Sequence, residues 1–375
     1  MRVLHVETGR HLYGGGRQVL YLLQGLGRMQ AGEHFLACAA GSELELRARE
    51  AGTNVYALPL AGDLDLLFAW RLRKLLREVD ADIVHVHSRG AAEIWSGLAA
   101  AGSSVKTVLS RRVDNPEPWW QSRLKYPLYD RVIAISRGIY RILLGQGVPD
   151  SKLSCVPSAV DTDRYRPGCD RDWFLQEFGL QEQDRVLGTV AQLIPRKGHA
   201  YLLQALPRIL EGCPEAKLLF LGQGPLLAEL RQQAQALGVL ERVQFAGFRT
   251  DLHSILPCLE MLVHPALLEG LGVSLLQAAA AGLPIVASRT GGIPEIVLDQ
   301  ENGYLLQPGQ IDPLARAVLS LLQDPDSARR MGHRGRELVG QRFSVSAMVK
   351  GNLQVYQELM GAAGQGGSWE QGKGS

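Results

Sequence analysis

The sequence lacks the features that mark nucleic-acid-binding, membrane-spanning and secreted proteins. The formal net charge of the 375 residues is only +2, which argues against a dedicated nucleic-acid binder. No apolar run reaches the length of about 20 residues that a membrane-spanning helix needs. The first residues, MRVLHVETG, have no charged segment followed by a long apolar run. We therefore expect a first β-strand there and not a signal peptide.

Cysteine is also scarce. The chain has five cysteines, an odd number, and they form no CxxC pair. This pattern predicts a reducing compartment and no structural metal site. We therefore expect a cytoplasmic protein, and peripheral binding at the inner face of the cytoplasmic membrane stays open. The cysteines are Cys38, Cys155, Cys169, Cys213 and Cys258.

Length and composition predict two globular domains. Hydrophobic residues make up 46% of the chain and charged residues 21%, which allows a full core to be buried. A chain of 375 residues is too long for one ordinary domain. Short apolar runs alternate with runs of helical spacing, a pattern typical of βα repetition and a parallel sheet. The predicted strands are VLHVE, HFLACAA, NVYALPL, DIVHVHS, KTVLS, RVIAIS, LSCVPS, RVLGTVAQL, KLLFLG, VQFAG, MLVHPA, PIVAS and YLLQP.

The domain boundary is predicted in Ala159–Phe174, which is polar and interrupts the βα pattern. We expect residues 1–166 to form the first domain and residues 167–344 the second. The final helix, residues 345–360, is expected to cross back onto the first domain. The Gly-rich segment 361–375 is predicted to be disordered. Two doubly wound domains in series leave a cleft that the carboxyl ends of both sheets face.

One segment, Val263–Ser288, carries the strongest functional signal. It reads as an apolar strand, a turn with Glu269, two glycines that flank Leu271, a helix of small residues and a second strand. A helix N-terminus attracts anionic groups, and Gly270 and Gly272 let a ligand approach the backbone closely. This arrangement suits a ligand with phosphate and hydroxyl groups, such as a nucleotide sugar.

Three further places are candidates for binding or chemistry, and each also has a purely structural interpretation. Gly14, Gly15 and Gly16 follow the first strand, but they form no GxGxxG fingerprint, and a plain turn stays open. Lys197, beside Arg196, follows a strand and is placed to stabilise a diphosphate leaving group; a solvated surface charge is the alternative.

Two histidines, His85 and His87, flank Val86 at a strand end and point to the same face. No third zinc ligand with suitable spacing is visible, so we expect His87 to be the functional one and leave a buried core role open. Four DxD triplets also occur, and we interpret all four as helix caps and solvated turns. They are Asp63–Asp65, Asp80–Asp82, Asp161–Asp163 and Asp324–Asp326.

Ten segments in a fixed order give the chain a family resemblance. They are TGRHLYGGGRQVL, ADIVHVHS, RVIAIS, AVDTDRYRP, QLIPRKG, LGQGP, FAGF, EGLGVSLLQ, AGLPIVAS and GGIPEIV. In this order they resemble the retaining enzymes of glycosyltransferase family 4. The resemblance implies an α/β protein with the GT-B fold, in which two Rossmann-like, doubly wound domains face a central cleft. It further implies a nucleotide-sugar donor on the second domain, an acceptor on the first, and no bound metal.

The resemblance also implies roles for single residues. Glu269 resembles the carboxylate that binds donor-sugar hydroxyls, Lys197 the cation on the departing phosphate, and His87 the histidine beside the reacting centre. These three are the predicted catalytic residues. The predicted donor-binding residues are Gly15, Gln192, Arg196, Gly222, Gly224, Phe248, Gly270, Leu271, Gly272 and Gln277.

Two of these positions depart from the family pattern. Gln277 stands where the family usually has a second glutamate for the ribose diol, and Gln192 stands where it usually has an arginine. An amide still accepts and donates hydrogen bonds, so ribose binding is expected to be weakened and not abolished. We hypothesise that the two changes are linked, because together they remove one negative and one positive charge. Arg196 or Arg17 would then supply the second phosphate contact.

The segment Ser110–Arg131 combines basic and aromatic residues and predicts contact with an anionic membrane surface or a lipid-linked acceptor. An ordinary loop with locally packed tryptophans stays open. The basic residues that we expect to contribute are Arg111, Arg112, Arg123 and Lys125, interleaved with the aromatic residues Trp119, Trp120 and Tyr126.

The leading functional prediction is a retaining, metal-independent glycosyltransferase that builds a cell-surface polysaccharide or lipopolysaccharide. The donor is a UDP-, GDP- or ADP-sugar, the acceptor is a glycan or a lipid-linked molecule, and no other cofactor is expected. Two alternatives stay open. One is a nicotinamide-dependent oxidoreductase on the same kind of sheet, and the other is a non-catalytic sugar-binding protein.

Overall fold

The computed structural model of the chain describes residues 1–10, 12, 14–59 and 65–361. The predicted disordered tail lies outside the described residues from 362 onward, as does Asp63 of the first DxD triplet. Each of the thirteen predicted strands is present. They are β1 (Arg2–Glu7), β2 (Glu33–Ala39), β3 (Asn54–Leu58), β4 (Ile83–Val86), β5 (Lys106–Arg111), β6 (Arg131–Ala134), β7 (Leu153–Cys155), β8 (Arg185–Val190), β9 (Ala216–Leu221), β10 (Val243–Gly247), β11 (Met261–His264), β12 (Ile285–Ser288) and β13 (Gly303–Leu306).

The helices follow the strands as the βα pattern predicts. The long amphipathic runs of the sequence correspond to α1, α3, α8, α9 and α14 of the following list. The helices are α1 (Gly14–Arg28), α2 (Glu43–Glu50), α3 (Leu66–Glu78), α4 (Ala91–Ala100), α5 (Trp119–Lys125), α6 (Arg137–Gly145), α7 (Arg171–Phe178), α8 (His199–Gly212), α9 (Leu227–Ala236), α10 (Leu252–Ile255), α11 (Val273–Ala280), α12 (Ile311–Gln323), α13 (Pro325–Arg342) and α14 (Val345–Leu359).

The strands form two parallel sheets. The first has the order β3-β2-β1-β4-β5-β6-β7 and the second the order β10-β9-β8-β11-β12-β13. In each sheet, successive strands are first added on one side of the first strand, and the later strands are then added on its other side. The direction reverses between β1 and β4 in the first sheet and between β8 and β11 in the second. Ligands of such sheets bind beyond the carboxyl ends of the strands at these reversal points.

The strands are apolar because helices cover both faces of each sheet. The four residues of β4 and of β11 are all buried, including the histidines His85 and His264. The last helix, α14, packs on α1, and its buried residues Val349 and Tyr356 join the core of the first sheet. The chain therefore crosses back to the first domain after the second sheet is complete.

The linker between the sheets runs from the end of β7 to the start of α7. Within it, Val160 forms a β-bridge with Ser344, the residue that caps α14, so both passages between the domains lie side by side. Tyr165 of the linker is buried. The boundary at residues 166 and 167 remains a prediction.

The cysteines differ from the expectation of a reducing compartment. Cys169 of the linker forms a disulfide bond with Cys258, which precedes β11. Their Cα atoms lie 4.9 Å apart although the residues are 89 positions apart in the sequence. Local spacing cannot reveal such a pair, because tertiary folding alone brings the linker to the start of β11. Cys38, Cys155 and Cys213 are free thiols.

Within the part of the chain that the structure describes, no helix is both long enough and apolar enough to cross a bilayer.

Candidate functional site

Two adjoining cavities lie between the domains, at the reversal points of both sheets. The first cavity, of about 410 Å³, contains residues that follow β1, β4, β5 and β11. The second cavity, of about 420 Å³, is lined mainly by residues that follow β8, β9, β10 and β11. Four residues line both cavities, and these are Gly14, Arg89, Glu269 and Val273.

Glu269 forms an ion pair at the junction of the two cavities. Its Oε2 atom accepts a hydrogen bond from Lys197 Nζ at 2.5 Å and lies 2.9 Å from His264 Nε2. Its Oε1 atom has no hydrogen-bond partner among the described residues. Burial alone would raise the pKa of Glu269, but the hydrogen bonds and charges of His264 and Lys197 outweigh it and lower the pKa to about 2. Glu269 is therefore an ionised carboxylate. Its Oε2 atom is bonded to Lys197 and His264, and its Oε1 atom is available to a ligand.

Glycines bring the loop of Lys197 against the loop of Glu269. Lys197 ends a short 3₁₀ turn between β8 and α8, and Gly198 follows it with a φ of +73°. A Cβ atom at position 198 would lie 1.9 Å from the backbone oxygen of Pro265, a distance that no side chain tolerates. Because only glycine permits this approach, the backbone NH of Leu267 reaches the carbonyl of Arg196 at 2.8 Å. The close approach of the two loop backbones thus places the side chains of Lys197 and Glu269 in contact.

A pair of glycines, Gly291 and Gly292, supports the backbone of Glu269. The Gly291–Gly292 segment packs directly under the backbone of Glu269, and a Cβ atom at position 291 would lie 1.7 Å from the Glu269 carbonyl oxygen. The backbone NH of Gly292 donates to that same oxygen at 3.2 Å. The sequence motif GGIPEIV therefore fixes the position of the carboxylate, although its own residues line neither cavity.

His87 faces the first cavity from the first domain. Its ring is buried, with Nδ1 at 3.4 Å from the Arg112 guanidinium and Nε2 at 3.1 Å from His5 Nδ1. Burial lowers the pKa of His87 well below its usual value, and the neighbouring His85, Arg112 and His5 lower it further. His87 is therefore an uncharged hydrogen-bonding group at neutral pH.

Contacts between the domains hold the loops of the cleft together. The Ser136 hydroxyl donates to the carbonyl oxygen of Gly270 at 2.7 Å, and the backbone NH of Gly138 donates to Glu295 Oε1 at 3.2 Å. Arg196 and Asp114 form an ion pair of 3.6 Å across the cleft. The segment around Gly270 therefore contacts both domains.

The other predicted site residues divide into two groups. Those that line a cavity are Gly15, Leu271 and Gly272 in the first and Gln192, Arg196, Gly222 and Phe248 in the second. Three predicted donor-binding residues, Gly224, Gly270 and Gln277, line neither cavity.

Packing accounts for these three positions. Gly224 lies against the backbone of Leu193, where a Cβ atom would come within 2.4 Å of the carbonyl oxygen. Gly270 makes the contact with Ser136 described above. Gln277 is buried in α11, and its Nε2 atom donates to the hydroxyl of Tyr165 at 3.0 Å. Arg17 also approaches this hydroxyl, at 3.4 Å.

Sequence reasoning missed His264, Glu7 and His5, and it assigned Arg112 to the basic segment Ser110–Arg131 and not to the cleft. His264, Glu7 and Arg112 each end a strand or directly follow one, and this position is the signal that could have placed them at the site. His264 holds Glu269, whereas Glu7 lines the first cavity and accepts a hydrogen bond from the backbone NH of Gly9 at 2.9 Å. Burial raises the pKa of Glu7.

Arg112 is a further cation of the cleft, besides Lys197, Arg196 and Arg89. It lines the first cavity, and burial lowers its pKa to about 10 while Glu7 opposes that shift. Its Nε atom is buried and has no hydrogen-bond partner among the described residues. An arginine in this state attracts an anionic or hydroxyl-bearing ligand into the first cavity.

The structure supplies the third histidine that the sequence did not reveal. His5 pairs directly with His85 across β1 and β4, and one nitrogen from each of His5, His85 and His87 lies within 4.8 Å of the others. The three described DxD triplets are turns and caps, as predicted. Asp161 accepts from the backbone NH groups of Asp163 and Arg164, Asp324 caps α13, and Asp82 accepts from the backbone NH of Arg2.

The segment Ser110–Arg131 differs from the expectation of an exposed basic surface. Lys125 is fully buried and pairs with Glu93 at 2.8 Å and Glu117 at 2.5 Å, and Arg111 pairs with Glu117 at 2.7 Å. Arg112 faces the first cavity. Of these four basic residues, Arg123 alone is exposed, whereas carboxylates of the segment and of α4 hold Arg111 and Lys125 inside.

The aromatic part of the same segment is exposed. Trp119 and Trp120 are 73% and 52% accessible, and Leu124 is 60% accessible. Tyr126, in contrast, is buried and donates to Glu117. The surface of α5 is therefore apolar, with one cation, Arg123, stacked over Trp119.

Comparison with known proteins agrees with this architecture. Residues 170–338 match the family model described as glycosyl transferases group 1, and residues 13–164 match the model described as glycosyltransferase family 4. A GDP-mannose-dependent alpha-(1-6)-phosphatidylinositol monomannoside mannosyltransferase of Mycolicibacterium smegmatis is 36% identical over 302 residues. The match covers 74% of this chain and 72% of the relative.

Two further proteins are similar over nearly the whole chain. The N-acetyl-alpha-D-glucosaminyl L-malate synthase of Bacillus anthracis is 24% identical, over 96% of this chain and 93% of the relative. The crystal structure of Anabaena HepE in complex with UDP has a TM-score of 0.84 and 20% identity, and the match covers 96% of this chain and 100% of that one. None of the matches described here supports the nicotinamide-dependent oxidoreductase.

Proposed function

Because the chain belongs to glycosyltransferase family 4, and is a glycosyltransferase with the GT-B fold, we propose that it transfers a sugar from a nucleotide sugar to a glycan or lipid-linked acceptor. One observation carries this proposal. A lysine and an ionised carboxylate, Lys197 and Glu269, are in contact at the junction of two cavities between the domains. The cation suits the diphosphate of a donor, and the free carboxylate oxygen suits a sugar hydroxyl.

We assign the nucleotide to the second cavity and the acceptor to the first. In the second cavity Lys197, Arg196 and Gln192 would bind the diphosphate, and Phe248 would lie against the base. In the first cavity Arg112 and Glu7 would contact the acceptor, while His87 and Glu269 orient the sugar between the two. The names of the relatives, one GDP-mannose-dependent and one crystallised with UDP, support a nucleotide donor of this kind.

The proposed reaction retains the configuration of the anomeric carbon and needs neither a metal ion nor a cofactor besides the donor. The bond between the anomeric carbon and the diphosphate oxygen breaks, and Lys197 and backbone NH groups stabilise the charge that develops on that oxygen. The acceptor hydroxyl forms its bond on the same face of the sugar. The products are the glycosylated acceptor, a nucleoside diphosphate and a proton.

Binding of a nucleotide-sugar panel followed by product analysis tests the proposal. Thermal-shift measurements with UDP-, GDP- and ADP-sugars identify the donor as the compound that raises Tm. Slow release of nucleoside diphosphate from that donor, undiminished by EDTA, is then expected even without an acceptor. NMR of a transferred sugar is expected to show the donor's anomeric configuration. If no nucleotide sugar shifts Tm or is turned over, the proposal is wrong.

The proposed cellular role is synthesis of a cell-surface polysaccharide or lipopolysaccharide at the inner face of the cytoplasmic membrane. The exposed residues Trp119, Trp120 and Leu124 support this, because such side chains insert into the interfacial region of a bilayer. Since Arg123 is the exposed cation of this surface, we propose that apolar insertion dominates over attraction to anionic lipid.

Liposome sedimentation measures this binding. Replacing Trp119 and Trp120 together with serine is expected to abolish binding, whereas Leu46→Ser, at an exposed apolar position of α2, leaves it unchanged. Because one cation contributes about 1 kcal/mol, anionic lipid should strengthen binding by no more than about fivefold. Equal and negligible sedimentation of the wild-type protein with both kinds of liposome would remove the membrane proposal.

A double-mutant cycle tests whether Gln277 and Gln192 are linked. We expect Gln277→Glu alone to weaken donor binding, because the new carboxylate would be buried beside Tyr165 and would compete with the donor phosphate for Arg17, which lies 3.4 Å from the same hydroxyl. Adding Gln192→Arg is expected to restore part of that loss, with a coupling energy above about 0.5 kcal/mol. Calorimetric titration with the nucleoside diphosphate measures each variant. Simple addition of the two single effects would exclude the linkage.

A further inference from the structure

A row of hydrogen-bonded histidines lies behind His87 in the first domain. His87 Nε2 is 3.1 Å from His5 Nδ1, and His5 Nε2 is 3.3 Å from His34 Nδ1. His5 lies in β1, His34 in β2 and His87 directly after β4, and these three strands are neighbours in the sheet. His5 and His87 are completely or almost completely buried, so the nitrogens of these rings bond to protein groups and not to water.

The direction of these hydrogen bonds follows from Arg112. Its guanidinium lies 3.4 Å from His87 Nδ1, and because a guanidinium only donates, this nitrogen must carry the lone pair. A neutral imidazole has one proton, so that of His87 is on Nε2 and is donated to His5 Nδ1. The proton of His5 is then on Nε2 and is donated to His34 Nδ1. Arg112 on one side of His87 and the acceptor nitrogen of His5 on the other therefore favour the same tautomer of His87.

His85 lies beside this row without belonging to it. Its Nε2 atom is 2.8 Å from the Ser110 hydroxyl, and its Nδ1 atom is 2.6 Å from the hydroxyl of Tyr356. Both ring nitrogens are therefore used. The His85 ring centroid is 3.9 Å from that of His87, close enough to restrict rotation of the His87 ring.

His5, His85 and His87 lie near enough to one another to be ligands of a metal ion, but the hydrogen bonds account for these rings better. Every nitrogen of His5 and His85 already has a partner, and His87 Nε2 is paired with His5. The remaining nitrogen, His87 Nδ1, faces the positive charge of Arg112. A divalent cation at this place would be repelled by the guanidinium and would break the hydrogen bonds of His85.

We propose that His5 and His34 are positioning residues that hold His87 in the Nε2–H tautomer. Its Nδ1 lone pair then accepts a hydrogen bond from a substrate hydroxyl in the first cavity, which replaces Arg112 as the donor when substrate binds. The part concerning substrate rests on the proposed function. The opposite tautomer would direct an N–H group at Arg112 and leave a sugar or acceptor hydroxyl without an acceptor.

Nitrogen NMR of the histidine rings tests the tautomer without any substrate. In protein labelled with ¹⁵N-histidine, the rings of His5 and His87 are expected to give the Nε2–H pattern of neutral imidazole at pH 6. Exposed His333 provides the reference ring. An Nδ1–H pattern for His87, or stoichiometric zinc found by elemental analysis of the purified protein, would overturn the proposal.

A matched pair of variants tests the positioning role. His5→Asn keeps a carbonyl oxygen as acceptor for His87, whereas His5→Leu removes it. We expect His5→Leu to populate both tautomers of His87 and to lower kcat for donor hydrolysis about 10-fold to 100-fold, as loss of an orienting hydrogen bond does elsewhere. His5→Asn should retain the Nε2–H pattern and most of the activity.

Two controls make the outcome decisive. Affinity for the nucleoside diphosphate should be unchanged in both variants, because the second cavity is not altered; this separates a positioning effect from loss of the fold. If His5→Leu does not fold, His34→Leu at the partly exposed end of the row replaces it, with the same NMR readout. Wild-type kcat in a variant whose His87 tautomer has changed would exclude the positioning role. A protein that binds no nucleotide sugar would contradict the proposed function and leave the NMR result standing.

Discussion

Replacing Lys197 with alanine is expected to lower kcat/KM for the donor about 100-fold, because a donor to the developing phosphate charge is lost. Lys197 lies in the second cavity, and its ammonium group is 2.5 Å from Glu269 Oε2. Without it the departing diphosphate loses a positive partner, and Glu269 keeps only His264. Initial rates of nucleoside diphosphate release measure the effect.

Two variants distinguish the specific role of Lys197 from the general effect of losing an ion pair. Lys197→Arg keeps the charge on a longer, planar group and should recover part of the activity. Lys217→Ala removes a lysine of the same domain that pairs with Asp184 at 2.8 Å, away from the two cavities of the cleft. It should leave kcat/KM unchanged. An unchanged kcat/KM in Lys197→Ala would contradict the proposed role of this residue.

Replacing Glu269 with glutamine is expected to lower kcat/KM by a similar factor and also to change acid stability. The pKa of Glu269 is about 2 in the folded protein, against an ordinary value of 4.5. The folded state therefore binds fewer protons than the unfolded chain between these values. The ionised carboxylate stabilises the fold by about 3 kcal/mol above pH 4.5, and this contribution disappears as the pH falls towards 2.

Denaturant unfolding at several pH values checks this prediction. The difference in unfolding free energy between the wild type and Glu269→Gln should be largest at neutral pH and should shrink below pH 4.5. Glu260→Gln is the matched control for activity. It removes the charge of a carboxylate that pairs with Arg185 at 2.9 Å, outside the two cavities. A difference that does not depend on pH would mean that Glu269 is not held ionised by its neighbours.

The sequence predicted the strands well because their signal is local. Each strand is a short apolar run between amphipathic runs, and burial on both faces of a parallel sheet requires that pattern. The same logic placed Lys197 and Glu269 at strand ends, from which we expected them to approach one ligand. They are in contact in the structure, and Gly198 explains why the two loops can come so close.

Residues whose partners are distant in the sequence were harder to predict. His5 lies 82 positions from His87, and the disulfide joins residues 89 positions apart. Gln277 was expected at the ribose but contacts Tyr165, because the linker packs against α11. The basic residues of Ser110–Arg131 were expected on the surface, yet the carboxylates of Glu93 and Glu117 hold two of them inside.

The sequence by itself determined the alternation of strands and helices, the two-domain α/β architecture and the family, since apolar periodicity and ordered motifs are properties of neighbouring residues. Only the tertiary structure decided which charges pair, which cysteines join and which side chains surround His87. Those outcomes depend on strand register and loop approach between segments far apart in the chain, where differences of a single ångström decide whether two polar atoms meet.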